Sequence, residues 1–240
     1  MTDVTATQWR VMTWNILGAH HPDVAEIAAV IREQQPDVTS LQEVQRAQLR
    51  RLAKQLGWHY AWARKHYPYS PLLWWRAEGI GILSPWAVSE RMRTTISPGV
   101  STWIYKHRVL LAATITRRDG TLRVFNTHLA SHDADERLAQ AKRVADRVRA
   151  DTSRCTILTG DLNTTDNSEI EVLREFRAVG LTDASGTVSN PSIAPSQRID
   201  YVLLPAAATT LSSHTPAGGE LWARLSDHLP VLVEFAVEPN

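Results

Sequence analysis

The feature that most limits the fold is a ratio: the 240 residues carry more than twice as many short strand-like runs as helical stripes. Strand-like runs fall at 10–16, 37–44, 57–63, 79–84, 102–116 (long enough for two), 122–129, 155–161, 198–204, 209–215 and 229–237. Helical stripes fall at 23–35, 46–56, 134–150 and 168–178. In the first, Asp23 can cap, Val24, Ile27, Ala28 and Ile31 share a face, and Pro36 ends the run. In the third, Leu138, Ala141, Val144, Ala145 and Val148 form one stripe. A single doubly wound sheet would need more helices. The expected class is therefore α/β, a four-layer sandwich of two mixed β-sheets packed face to face with helices outside. No linker, repeat or low-complexity block interrupts the chain, which reads as one domain over 1–240 with its core at about 9–237.

Charge and cysteine content remove several classes. Lys and Arg number 26 against 25 Asp and Glu, a formal net charge of +1. No global field draws the chain to nucleic acid or an anionic membrane, although local basic clusters can still serve. The single cysteine, Cys155, excludes an intrachain disulfide, and its place before an apolar run reads as a buried, inert thiol. The start, MTDVTATQWRVMTWNIL, lacks a basic segment followed by an apolar run and a small-residue cleavage site. No apolar stretch reaches the ~20 residues a membrane-spanning helix needs. The expected compartment is the cytoplasm and the expected state a monomer, since no partner-binding helix or tail stands out. Asn163-Thr164-Thr165 matches a glycosylation acceptor and is read as chance.

Polar residues recur where apolar runs stop. Asn15 lies in TWNIL, Glu43 in LQEV, His128 in NTHL, Asp161 and Asn163 in GDLN, Asp200 in RIDYVLL, and Asp227 and His228 in SDHLP. Singly, each has an ordinary structural explanation. Asn15 can cap a turn, Glu43 can favour the helix that follows, His128 can be a bonded core histidine, and Asp161 and Asn163 can make Asx turns. As a set they supply carboxylates, amides and imidazoles but no thiolate. Such oxygen donors suit a hard cation, Mg²⁺ or Mn²⁺, and the imidazoles add proton transfer and a cationic donor to phosphate. Strand alternation would place Asp161 and Asn163 on one face. A divalent metal, a His and an Asp at one point can hydrolyse a phosphate ester.

TWNI, LQEV, GIGILS, NTHL, GDLN, RIDYVLL and SDHLPV resemble, in order and spacing, the endonuclease/exonuclease/phosphatase superfamily over about residues 9–237. That group includes DNase I, exonuclease III-type nucleases, neutral sphingomyelinases and inositol-polyphosphate 5-phosphatases. The resemblance implies a DNase I-like fold. It also implies a divalent-metal-dependent phosphoester hydrolase, with in-line attack of water on phosphorus and no covalent intermediate. By the same resemblance Glu43 is the main metal ligand, helped by Asn15. Asp161, Asn163 and Asp227 form the opposite wall, with the Asn163 amide on a phosphate oxygen. His228, oriented by Asp200, is the general base or grips the scissile phosphate, and His128 is the second phosphate-contacting imidazole. Glu78 holds the His128 ring or is a solvated loop charge. Whether Asp161 or His228 takes the water proton, and whether one or two metals act, stays open.

Substrate is less constrained. WARKHYPYSPLLWWR, 62–76, interleaves aromatic and basic residues and offers Trp74, Trp75 and Arg64 or Arg76 to DNA or RNA. The same stretch suits a lipid headgroup, or simple packing at a sheet edge. YKHR, 105–108, is a second basic spot, either phosphate-contacting or the exposed face of a strand. A phosphodiesterase of nuclease type leads, a phosphatase or phosphodiesterase of a small or lipid phosphoester follows, and a non-catalytic binding protein comes third. The glycines of GIGILS lack the helix of a dinucleotide fingerprint and read as close packing within a strand.

Overall fold

The computed structural model describes residues 6–65, 77–97, 107–165 and 167–238, without the side chains of 167–169. Its strands are β1 (Thr7–Asn15), β2 (Val38–Gln45), β3 (His59–Arg64), β4 (Glu78–Ser84), β5 (Ala87–Thr95), β6 (Val109–Thr116), β7 (Thr121–His128), β8 (Thr156–Asp161), β9 (Leu181–Asp183), β10 (Asp200–Pro205), β11 (Ala208–His214) and β12 (Val231–Val237). Its α-helices are α1 (Val24–Gln34), α2 (Arg46–Leu56), α3 (Ala134–Arg149), α4 (Asn167–Arg177) and the short α5 (Glu220–Ala223).

The strands form two six-stranded mixed sheets, ordered β11-β12-β1-β2-β4-β3 and β5-β6-β7-β8-β10-β9. Each holds one parallel pair at its centre, β1 with β2 and β7 with β8. Alternation decides the layers. Trp9, Val11, Val38, Ile80, Ile82, Val233 and Phe235 of the first sheet meet Leu111, Ala113, Ile115, Val124, Ile157 and Val202 of the second. Met12, Trp14, Leu41 and Leu83 face the other way, onto Ile27, Ile31, Leu49 and Leu52 of α1 and α2. Phe125, Leu158, Tyr201 and Leu203 likewise pack on Val144, Val148, Val172 and Phe176 of α3 and α4. Central strands buried on both faces explain why their sequences read as continuous apolar runs. Asp23 caps α1 as expected, accepting the Ala25 N–H. Gly79 of GIGILS is pressed against β3: a Cβ there would sit 2.3 Å from the Ala63 carbonyl oxygen.

Three elements escape the periodicity. β5 is an edge strand with only Val88 buried, and a bulge between Ser89 and Met92 breaks its alternation. β9 and α5 span only three and four residues. Of the expected 102–116 segment, β6 covers the second half, while 102–106 lie outside the described residues. Among the described residues no helix is long and apolar enough to cross a membrane.

One polar strut crosses the interior. Asn126 of β7, fully buried, donates to the carbonyls of Leu41 (3.1 Å) and Gly81 (2.8 Å) in the opposite sheet and accepts from Gln42 Nε2 (2.8 Å). Leu41 and Gly81 are the last register pair before the β2–β4 ladder slips. Within that slip Glu43 takes a left-handed φ of +55°. The strut thus braces the two sheets next to the bulge, and the bulge sets the position of Glu43.

Candidate active site

Both parallel pairs end at the same edge of the sandwich. β1 ends at Asn15, β7 at His128 and β8 at Asp161, and His128 and Asp161 are register partners. β10 runs antiparallel to β8 and begins there, with Asp200 opposite Asp161. The loop before β12 returns to the same edge with Asp227 and His228. Strand direction and register therefore gather residues more than 200 positions apart.

The centre is a buried polar cluster. His228 Nδ1 lies 2.7 Å from Asp200 Oδ2, which also accepts the Ser189 hydroxyl at 2.6 Å. That carboxylate fixes the ring tautomer and orientation. His228 Nε2 is left facing Asp161 Oδ2 and Asp227 Oδ1, each at 3.9 Å. The loop is anchored from three directions: Trp14 Nε1 donates to the His228 carbonyl, the His228 N–H donates to Ser226 Oγ, and the Ser226 hydroxyl donates to the Asn15 carbonyl. His128 Nε2 lies 3.5 Å from Asp161 Oδ2, and its Nδ1 lies 3.7 Å from Glu43 Oε1.

Charge in this pocket is set by burial and near neighbours. Asp161 is pushed up from the usual carboxylate range by desolvation and then by Asp200; His228 and the Asn15 amide oppose the shift. Burial by itself would lower His228, but the Asp200 carboxylate outweighs it and carries the ring to about 10. The metal-free site therefore holds an imidazolium beside a carboxyl that ionises reluctantly.

Several expected roles change in detail. β8 stops at Asp161, so alternation does not reach Asn163. Asn163 instead adopts a left-handed φ of +49°, its backbone N–H donates to Asp161 Oδ1 (3.0 Å), and its side-chain amide donates to the Leu129 carbonyl (3.1 Å). An Asx-type turn, not a shared strand face, brings the two together. Asn15 accepts the Leu17 N–H on its side-chain oxygen (3.1 Å) and donates its amide to Asp161 Oδ2 (3.0 Å). Its amide nitrogen thus faces Asp161, and its oxygen holds the Leu17 backbone. Glu78 faces Lys65 Nζ at 3.9 Å, and the His128 ring lies between two carboxylates, Glu43 at Nδ1 and Asp161 at Nε2. Arg76 and Trp75, with Trp74, lie outside the described residues.

Sequence reasoning missed Lys65. It is 7 % exposed, and its ammonium sits 3.7 Å from Glu43 Oε1. Burial, and then the charge of Arg108, lower its pKa to about 8. The only sequence signal was its place in the basic and aromatic 62–76 stretch.

Asp161, Asp200 and His228 present ligand atoms within 4.8 Å of one another. Asp200 Oδ2 is bonded to His228 and Ser189, while its Oδ1 is buried with no hydrogen-bond partner among the described residues. Glu43, Asp161 and the half-exposed Asp227 add carboxylate oxygens of the kind that could hold a hard cation. Asp161 is buried, and desolvation makes its ionised form costly, so a divalent ion bound there would favour the carboxylate.

The model of the Endonuclease/Exonuclease/phosphatase family matches residues 12–228. Among solved structures, an endonuclease/exonuclease/phosphatase from Beutenbergia cavernae DSM 12333 is 26 % identical, with a TM-score of 0.74 over 96 % of this chain and 72 % of that one. ANGEL2, a 2',3'-cyclic phosphatase, is 15 % identical, with a TM-score of 0.75 over 98 % and 96 %. The mannosyl-6-phosphatase Bt3783 of Bacteroides thetaiotaomicron VPI-5482 is 17 % identical, with a TM-score of 0.73 over 95 % and 99 %. These neighbours share the DNase I-like architecture of two sheets flanked by helices. No curated protein sequence matches the chain.

Proposed function

The chain belongs to the endonuclease/exonuclease/phosphatase family, a family of phosphoesterases, and from that premise we propose that it is a phosphodiesterase of nuclease type, acting as a cytoplasmic single-domain monomer. The observation that carries the proposal is the chain of contacts Asp200–His228–Asp161, with Nδ1 held at 2.7 Å and Nε2 left toward the second carboxylate. An imidazolium so held donates to a non-bridging phosphoryl oxygen. Asp161, steadied by Asn15 and the Asn163 N–H, takes the proton of a water attacking phosphorus in line with the leaving oxygen. His128, between Glu43 and Asp161, supports the opposite side of the phosphoryl group. Glu43, Asp161 and Asp227 would hold Mg²⁺ or Mn²⁺, which supplies charge neutralisation on the phosphoryl oxygens and a more acidic water.

Net charge of +1 is no barrier to nucleic acid, because Lys65 and Arg108 supply local positive charge beside Glu43 and Asp161. The fold also carries a cyclic-phosphate and a sugar-phosphate phosphatase, so the deciding assay pits diester against monoester. Oligonucleotide and bis(4-nitrophenyl) phosphate are expected to be cleaved with Mg²⁺ or Mn²⁺ and spared with chelator. Hydrolysis confined to monoesters would overturn the nuclease reading. His228→Ala and Glu43→Ala are each expected to abolish turnover with an unchanged circular dichroism spectrum; near-normal activity in either would contradict the site.

A further inference from the structure

The basic stretch ending at Arg108 enters that scheme only as local positive charge, yet Arg108 carries an anomaly. Its backbone is pinned just before β6: its N–H donates to Ser97 Oγ (2.7 Å) and its carbonyl accepts the Ile96 N–H (3.0 Å). Its side chain is only partly exposed, and Nη1 is fully buried with no hydrogen-bond partner among the described residues. Guanidinium donors are seldom left in that state, because an unmade buried bond to a charged group is expensive. Asp161 and then Glu43 are the carboxylates whose charge it feels most, which puts it at the active edge. Among the described residues no carboxylate comes within 4.0 Å of it to form an ion pair. Lys65, by contrast, is occupied with Glu43 and Glu78.

A buried cation beside a phosphoester site, with a free N–H, lacks one thing: an anionic oxygen that arrives from solution. We infer that Arg108 is a substrate-binding catalytic residue that donates Nη1–H to a non-bridging oxygen of the phosphoryl group. This rests on the proposed phosphoesterase reading and assigns the group that grips its substrate. The guanidinium stays protonated at every working pH, and its planar fork suits a phosphoryl face better than a point charge does. Before substrate arrives, burial costs the guanidinium more than its distant carboxylates return, and its pKa is held below the ordinary value. The free protein thus carries an unpaired charge that the ligand completes.

That cost separates a binding role from a structural one. Arg108→Met keeps the length of the side chain and removes the charge. Titration of inorganic phosphate into the Mg²⁺-loaded protein by calorimetry should show binding weakened on the order of 10–100-fold in Arg108→Met. Arg108→Lys should recover part of it. In phosphate-free buffer Arg108→Met should melt at the wild-type temperature or above, since an unpaired buried charge has been deleted. Phosphate binding within twofold of wild type overturns the inference, and so does a lower melting temperature without phosphate, which would make Arg108 a structural strut. A wild-type protein that binds phosphate through Arg108 but cleaves no phosphoester would leave the phosphate-binding role of Arg108 standing and sink its catalytic role together with the proposed function. Unchanged diester cleavage in Arg108→Met would sink the catalytic role and leave the proposed function standing.

Discussion

The strongest structural test falls on Asn126, the strut behind Glu43. Substitution Asn126→Ala removes three buried hydrogen bonds, to Leu41 O at 3.1 Å, to Gly81 O at 2.8 Å and from Gln42 Nε2 at 2.8 Å. Gln42 keeps its other bond, to Thr13 Oγ1 at 3.0 Å, so its loss is partial. The two carbonyls belong to the last register pair before the β2–β4 ladder slips, where pairing is weakest. At about 1–3 kcal/mol for each buried group left unsatisfied, the loss comes to roughly 3–6 kcal/mol. A domain of this kind holds about 5–15 kcal/mol in total, so the variant should fold with little margin. Urea unfolding followed by circular dichroism reads the loss directly, and a melting temperature lower by roughly 6–24 °C should accompany it. Because the strut also holds the bulge, turnover should fall even at temperatures where the variant is folded. A double-mutant cycle with Gln42→Ala should show coupling of about 0.5–3 kcal/mol. A loss below about 1 kcal/mol, or no coupling, would refute the claim that this network holds the two sheets in register at Glu43.

Two further outcomes follow from charge and burial. His228 is raised from its ordinary 6.5 to about 10, so its contribution to stability in the metal-free protein is full below about 6.5 and is lost as pH rises through about 10. Asp200→Asn should flatten that dependence, bring the histidine's NMR titration down toward its ordinary range and slow turnover on the order of 10²-fold or more; an unshifted titration would refute the pairing. Burial pushes the Cys155 thiol up to about 11, so iodoacetamide near neutral pH should label it only after unfolding, and rapid labelling of the native protein would contradict its placement.

The sequence by itself determined the layers. Runs such as Thr156–Asp161 are apolar on both faces, α1 and α3 carry one apolar stripe each, and the excess of strands over helices leaves two packed sheets as the outcome. It also determined the chemical inventory, because Glu43, His128, Asp161, Asp200 and His228 each stand where an apolar run ends. Tertiary structure alone decided how they face one another. Asn163 reaches Asp161 through a left-handed turn, Asn15 turns its nitrogen to the cleft because its oxygen is taken by Leu17, and the His128 ring lies against Glu43 while Glu78 goes to Lys65. Lys65 and Arg108 enter the site from strand ends that look like ordinary basic surface. The edge strand β5 left no trace in the pattern because so little of it is buried. The physical reason is common to all of these: periodicity records how much of a segment is hidden, whereas facing and partnership depend on register, strand direction and backbone φ, which arise only when distant segments pack.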